Sequence, residues 1–333
     1  MNIDTRISKE RTPLQDVIPL STPFVLFIDP CDTCNFQCRF CPTGNRAKMR
    51  ETKGRNYGTM GMHTYEKIIS DLSEFENNLK VVRLYKDGEP LLNKHFPEMV
   101  KMAKDSGKVD QVDTTTNAAR LTRDLSDRII RSGIDRINIS IEGICDEDYR
   151  FFSRVDVDFR LLVDNIRYLH DISGDCYIFV KINEDTITED KKKKFFDIFG
   201  PISDGIGSEH VMECWPQFDA VVGANTEVGI YGQPLTDVSV CPYIFYSFSV
   251  NSNGTVSACF LDWSRELIIG NIESRSLVDM WNGKEMNALR VSFLKGNRSN
   301  HPFCRECGQL THGMPDNIDK YAEDILRRIE HAR

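Results

Sequence analysis

No apolar run in this 333-residue chain is long enough to cross a bilayer. The longest, such as Phe24-Val25-Leu26-Phe27-Ile28, falls far short of the ~20 residues a spanning helix needs. The first twenty residues mix polar and charged side chains, without the apolar centre of a secretory signal. Low-complexity tracts and internal repeats are also missing. Positive charge is in the minority: 42 Lys and Arg stand against 50 Asp and Glu, a net charge of −8. An acidic balance argues against a nucleic-acid surface. One local shortage is sharper still, since no Arg or Lys occurs from Phe195 through Cys241. Together these features predict a cytoplasmic protein with neither membrane nor nucleic acid as a partner.

Cysteine, by contrast, is plentiful, with 11 residues. In a long chain expected in a reducing compartment, cysteines read as metal ligands rather than disulfides. With 40 % apolar residues, the chain can bury one large core, or one large and one small.

Short β-branched and aromatic runs alternate with helical stretches. Strands are predicted at Phe24–Ile28, Val81–Tyr85, Gln111–Thr115, Arg136–Ile141 and Tyr177–Ile182. Helices are predicted near Thr64–Phe75, Phe96–Lys104, Thr122–Ser132, Phe159–His170 and Glu189–Phe199, with Thr122 as an N-cap and Gly133 as a terminator. This alternation implies parallel strands with right-handed crossovers, in either an open sheet or a partial barrel.

Just after the first strand comes Cys34-Asn35-Phe36-Gln37-Cys38-Arg39-Phe40-Cys41, a C-x3-C-x2-C run. Three thiols can hold three irons of a 4Fe–4S cluster and leave the fourth iron open to a small molecule. The rival is an incomplete zinc site, which usually pairs C-x2-C with histidine. Further on, Cys241, Cys259, Cys304 and Cys307 form C-x17-C-x44-C-x2-C, enough thiols to ligate a site completely. A structural zinc could use the same four. Asn251-Ser252-Asn253-Gly254-Thr255 reads as a hairpin turn that places Cys259 on the returning strand.

The first triplet resembles that of the radical S-adenosylmethionine (SAM) superfamily. The second set, with Ile269-Gly270-Asn271-Ile272 and Leu277-Val278-Asp279-Met280-Trp281-Asn282, resembles the SPASM extension. No cysteine follows in Gly308-Gln309-Leu310-Thr311-His312-Gly313, so one auxiliary cluster is expected, as in the shorter twitch version. The resemblance implies a partial (β/α)6 barrel with its site at the strands' C-terminal ends. It divides the chain into an extension (1–22), the barrel (23–220), the auxiliary domain (221–317) and a C-terminal helix (318–333). It implies two 4Fe–4S clusters and SAM as cofactors, with a flavodoxin or ferredoxin as reducing partner. The oligomeric state is left open.

By the same resemblance, Gly88 and Glu89 of Lys86-Asp87-Gly88-Glu89-Pro90 would meet the SAM amino group, with Asp87 standing where the family has Gly. Thr116-Asn117-Ala118 is similar to the family's Thr-Asn-Gly. Ser140 and Glu142 would hold the ribose hydroxyls, Arg154 the SAM carboxylate, and Phe40 would lie near the adenine. Within the family, the sequence around Cys259-Phe260-Leu261-Asp262-Trp263 and Cys304-Arg305-Glu306-Cys307 is most similar to the twitch dehydrogenases acting on 2-deoxy-scyllo-inosamine. The reaction this implies is oxidation of a secondary alcohol in a sugar, nucleotide sugar or aminocyclitol. A 5′-deoxyadenosyl radical would take hydrogen, a base would take the hydroxyl proton, and the auxiliary cluster would accept an electron.

With no Lys or Arg from Phe195 to Cys241, the base is expected to be a carboxylate or His210 in the stretch Glu209, His210, Glu213, Cys214, Trp215, Asp219. Cys214 supports an alternative, a radical epimerase in which a thiol returns a hydrogen atom. A peptide-modifying enzyme is the other alternative. The twenty or so residues before the first strand are too few for an independent peptide-recognition domain, which favours a small substrate. The basic loop Arg46, Lys48, Arg50, Lys53, Arg55 is a candidate phosphate contact. Cys31, Cys145 and Cys176 are expected to be structural or ambiguous.

Overall fold

A computed structural model of the chain describes residues 4–5, 11–218 and 224–331. Six parallel strands follow one another across a sheet: β1 (Val25–Ile28), β2 (Leu79–Arg83), β3 (Val109–Thr116), β4 (Arg136–Ile141), β5 (Tyr177–Asn183) and β6 (Gly205–Glu209). The first five fall where the residue pattern predicts strands, although β2 starts and ends two residues earlier. The sixth, Gly-Ile-Gly-Ser-Glu, has too little side chain to announce itself as a strand.

Helices cover one face of this sheet. Helix Arg123–Arg131 begins where the Thr122 hydroxyl accepts from the Leu125 amide at 3.2 Å, and it ends before Gly133 at φ 82°. Its Ile129 is buried, as are Leu162, Ile166 and Leu169 of helix Phe159–Asp171 and Phe195 and Phe199 of helix Glu189–Phe199. They meet alternate strand residues such as Leu26, Val82, Val112, Ile137 and Ile178, which form the core. The opposite sheet face carries Arg83, Asp113, Arg136, Asn138, Ser140 and Lys181, so the concave interior is polar.

The C-terminal part extends the same sheet. Strand β7 (Ser247–Val250) pairs parallel with β1, and β8 (Thr255–Ser257) and β9 (Ile268–Asn271) add on antiparallel. Gly254, at φ 81°, makes the expected hairpin turn. The sheet order is therefore β6-β5-β4-β3-β2-β1-β7-β8-β9, with the triplet-bearing strand between the barrel and the auxiliary part. The segment ahead of β1 packs on the C-terminal half, where Trp281 Nε1 donates to Leu20 O at 2.8 Å. The C-terminal helix runs Ala322–His331 and buries Ile325 and Ile329. The expected boundary at 220/221 lies outside the described residues. No described helix is long and apolar enough to cross a membrane.

Candidate active site

Two cavities are each built around residues singled out by the sequence, one beside the ends of β4, β5 and β6 and one within the C-terminal part. The first begins with the loop after β1. Gln37 and Arg39 amides donate to Ser153 O and Phe152 O, at 2.9 and 3.1 Å, fastening this loop to helix Asp146–Phe152. Cys34 Sγ accepts from the Phe36 amide at 3.3 Å and from Asn117 Nδ2 at 3.7 Å, while Cys38 Sγ lies 3.6 Å from Ser153 Oγ. Burial pushes all three thiols up, and the neighbouring carboxylates and thiols push further. Three thiols from one loop, near enough to act on one another, are a donor set suited to three irons of a cluster.

Gly88 lies hard against this loop: a Cβ there would stand 2.2 Å from both Cys31 O and Thr33 O. Only glycine fits. Glu89 is buried and already served, accepting from Thr116 Oγ1 at 2.6 Å, Asn117 N at 2.9 Å and Leu91 N at 3.0 Å. It joins the ends of β2 and β3. Ala118, in the family's Gly position, sits at φ 59°, a left-handed conformation that explains why glycine is usual there.

Beyond the thiols opens a cavity of about 660 Å³, including its mouth, lined by Phe40, Ser140, Glu142, Lys181, Glu209, His210, Cys214 and Trp215 among others. Strand register creates it. Ser140 pairs with Lys181 and Asn183 with Glu209, so side chains from β4, β5 and the end of β6 share one edge. Glu142 is 7 % exposed and its Oε2 has no partner. Burial raises its carboxyl to about 7, opposed by Lys181 and reinforced by Glu209. Lys181 forms an ion pair with Glu209, which also accepts from Tyr231 Oη at 3.3 Å.

Several expected residues sit differently. Arg154 is exposed at φ 53°, and its Nε donates to Gln37 O at 3.0 Å, which ties it to the thiol loop. His210 lines the cavity, but Nε2 lies 2.7 Å from Glu184 Oε1 and Nδ1 2.8 Å from Asp185 Oδ1. Neither ring nitrogen is left for a substrate. Glu213 is exposed and does not line the cavity; its neighbour Cys214 does. Asp219 lies outside the described residues. Of the basic loop, Arg55 is buried in an ion network and Lys48 is held over Trp263, 5.3 Å from the ring centre, leaving Arg46, Arg50 and Lys53 exposed. The sequence reading missed Lys181. Its signal was a lone lysine inside an apolar strand run, Tyr-Ile-Phe-Val-Lys-Ile-Asn.

The second cavity is lined by all four later thiols, Cys241, Cys259, Cys304 and Cys307, with apolar neighbours such as Ile244, Phe293 and Phe303. Burial pushes Cys241 up to about 12, and the nearby Cys307 adds to this. Arg298 is the cation that relieves it. Four thiols around one cavity offer a complete ligand set for an iron–sulfur cluster. The two cavities share a wall: Cys214 lines the first, and its carbonyl oxygen is 4.0 Å from Cys307 Sγ in the second.

Comparison with known proteins agrees with this arrangement. A model of the radical SAM superfamily matches residues 28–191, and one of the SPASM iron-sulfur cluster-binding domain matches 241–308. A GTP 3′,8-cyclase of Syntrophomonas wolfei is 26 % identical over 37 % of this chain and 35 % of its own. A probable GTP 3′,8-cyclase of Saccharolobus islandicus is 29 % identical over 55 % of this chain and 54 % of its own. The chain thus spans only a third to a half of these curated relatives. Among solved structures, BtrN in complex with AdoMet and 2-DOIA matches with a TM-score of 0.54 at 16 % identity, covering 85 % of this chain and 92 % of that one. The anSMEcpe structure with bound AdoMet matches at 0.62 and 14 % identity, covering 93 % and 97 %. Streptococcus suis SuiB bound to precursor peptide SuiA matches at 0.59 and 15 % identity, covering 89 % and 72 %. These likenesses establish the fold.

Proposed function

Because the chain belongs to the radical SAM superfamily and carries a SPASM iron–sulfur domain, we propose that it oxidises a secondary alcohol of a small polar substrate to a ketone. The shared wall carries this reading. Removing two hydrogens from an alcohol as a hydrogen atom and a proton leaves one electron over, and the four-thiol cavity lies directly behind Cys214. The 4Fe–4S cluster and SAM, when bound at Cys34, Cys38 and Cys41, supply a carbon-centred radical able to take the hydrogen atom.

The chain's own residues do the rest. Phe40 and Trp215 wall the cavity and exclude water. Ser140 and the unpartnered Oε2 of Glu142 suit hydroxyl groups of the ribose. The Lys181–Glu209 pair takes the place of the missing late base. Lys181 stabilises negative charge as it grows on the substrate oxygen, and Glu209 receives the proton, positioned by Tyr231. A pocket offering carboxylates and one lysine suits a polyol or amino alcohol. The likeness to a BtrN structure holding 2-DOIA supports that substrate class.

Cys214 in the wall favours a second reading, epimerisation with its thiol as hydrogen donor. Both are tested by incubating the reduced, reconstituted protein with SAM and deuterated sugars, cyclitols or peptides. Deuterium in 5′-deoxyadenosine with a product lighter by two hydrogens supports dehydrogenation. Solvent hydrogen at an unchanged composition supports epimerisation. Deuterium transfer from peptides alone would overturn both.

A further inference from the structure

Asp87 stands where the family motif has glycine, and the site described above gives it no task. Its Oδ2 receives Arg265 Nη1 at 2.6 Å, Lys86 Nζ at 2.9 Å and Arg55 Nη1 at 3.4 Å. The side chains of all four are at most 4 % exposed. Although burial alone would raise it, Lys86, Arg265 and Arg55 hold the Asp87 carboxyl well below the usual carboxylate range.

The arms of this hub end beside ligands of both thiol sites. On the SAM side, Asp87 O accepts from Thr43 Oγ1 at 2.6 Å, two residues beyond Cys41. Arg55 Nη2 donates to Asp32 O at 2.6 Å, two residues before Cys34. On the auxiliary side, Lys86 Nζ and Arg265 Nη1 each donate to Asp262 O at 3.0 Å, and Arg55 Nη1 donates to Trp263 O at 3.1 Å. Asp262 in turn caps the loop that starts at Cys259, donating its amide to Cys259 O at 3.2 Å. Arg265 holds φ 64°, a conformation a non-glycine residue keeps only where its surroundings dictate it.

The three cations also face the buried carboxylates of Asp29 and Asp32, with Arg265 Nη2–Asp29 Oδ2 and Arg55 Nε–Asp32 Oδ2 both at 3.9 Å, and burying such an ion network is a poor route to stability alone. We propose that the Asp87 hub is a positioning device that locks the loop of auxiliary thiol Cys259 against the loop of Cys34–Cys41, fixing the spacing between the two clusters. Asp87 is a positioning residue here, acting through the loops it ties. The hub ties the two cluster sites and does not touch the substrate cavity, so the first measurement is made without substrate.

The test is Asp87→Asn in the reconstituted two-cluster protein, which keeps the shape and removes the charge. Pulsed electron paramagnetic resonance would measure the magnetic coupling between the two reduced clusters. The expected result is unchanged iron content with a broadened distribution of cluster–cluster distances. With substrate, 5′-deoxyadenosine formed per product should rise about fivefold or more, the scale of a site-to-site coupling of about 1 kcal/mol. An unaltered distance distribution with an unaltered ratio, whatever the melting temperature does, would overturn the proposal. Should Asp87→Asn not accumulate as folded protein, Arg265→Gln leaves Lys86 and Arg55 on Asp87 and is read by the same two measurements.

Discussion

The two thiol sites are built in opposite ways. Cys34, Cys38 and Cys41 lie within one loop of eight residues, whereas Cys241, Cys259, Cys304 and Cys307 are gathered from a span of 67 residues. A local loop whose Gln37 and Arg39 amides donate hydrogen bonds to Ser153 O and Phe152 O presents three ligands before anything binds. The second site exists only once β7–β9 and helix Lys284–Leu294 have packed around their apolar void. Ligation at the second site should therefore stabilise the fold, while ligation at the first mainly enables chemistry.

Removing one thiol from each breaks or sustains that contrast. Cys34→Ala should lower iron from roughly eight to roughly four atoms per chain, the content of one cubane. It should also abolish 5′-deoxyadenosine formation and shift thermal unfolding little. Cys259→Ala should lose the same iron and keep SAM cleavage, yet reduce ketone formation to background. Its melting temperature should fall further than that of Cys34→Ala. Equal destabilisation by both would show that the loop site is as fold-coupled as the dispersed one.

A smaller effect probes the polar cavity beside the first site. Lys181→Met should leave iron content intact and lower turnover by about 10²-fold or more, the scale of a lost proton-transfer or charge-stabilising group. Steady-state rates with the identified substrate would measure it. A change confined to KM would mean that Lys181 only binds substrate.

The same contrast explains what could be read from residues alone. The triplet is contiguous and follows a strand, so spacing exposed it. The quartet was also legible, because C-x2-C and a hairpin turn mark three of its four members. Most strands and helices followed hydrophobic period and capping, as at Thr122 and Gly133. Strand β6 did not, for its glycines carry no pattern. Lys181 was passed over because a search for a late base looked beyond Phe195, while parallel register brings β5 to the same edge as the end of β6. The partners of His210 and Arg154, namely Glu184, Asp185 and Gln37, could not be read from the sequence because they are set by tertiary contacts. The Asp87 hub was illegible for the same reason: its cations come from three separate segments.

The smallest predicted effect separates the two cavities by pH. The first contains a buried carboxyl, Glu142, raised from 4.5 to about 7 mainly by burial; the second offers only thiols and Arg298. A carboxyl whose folded value exceeds its unfolded one binds its proton more tightly in the fold. Below about pH 4.5 both states are protonated and Glu142 makes no demand. As pH rises from 4.5 to about 7 the unfolded chain releases the proton first, and stability falls until the folded carboxyl ionises too. The full difference corresponds to at most about 3 kcal/mol. In the apoprotein, Glu142→Gln should therefore flatten the loss of stability between pH 5 and 8, as measured by urea denaturation. Some slope should persist, because Asp29 is likewise raised to about 7, chiefly by burial and then by Asp87. Lys181→Met should steepen the slope, since Lys181 opposes the shift of Glu142. Parallel curves for the wild type and Glu142→Gln would mean that water reaches Glu142 freely, and that the polar cavity is not the dry compartment its chemistry requires.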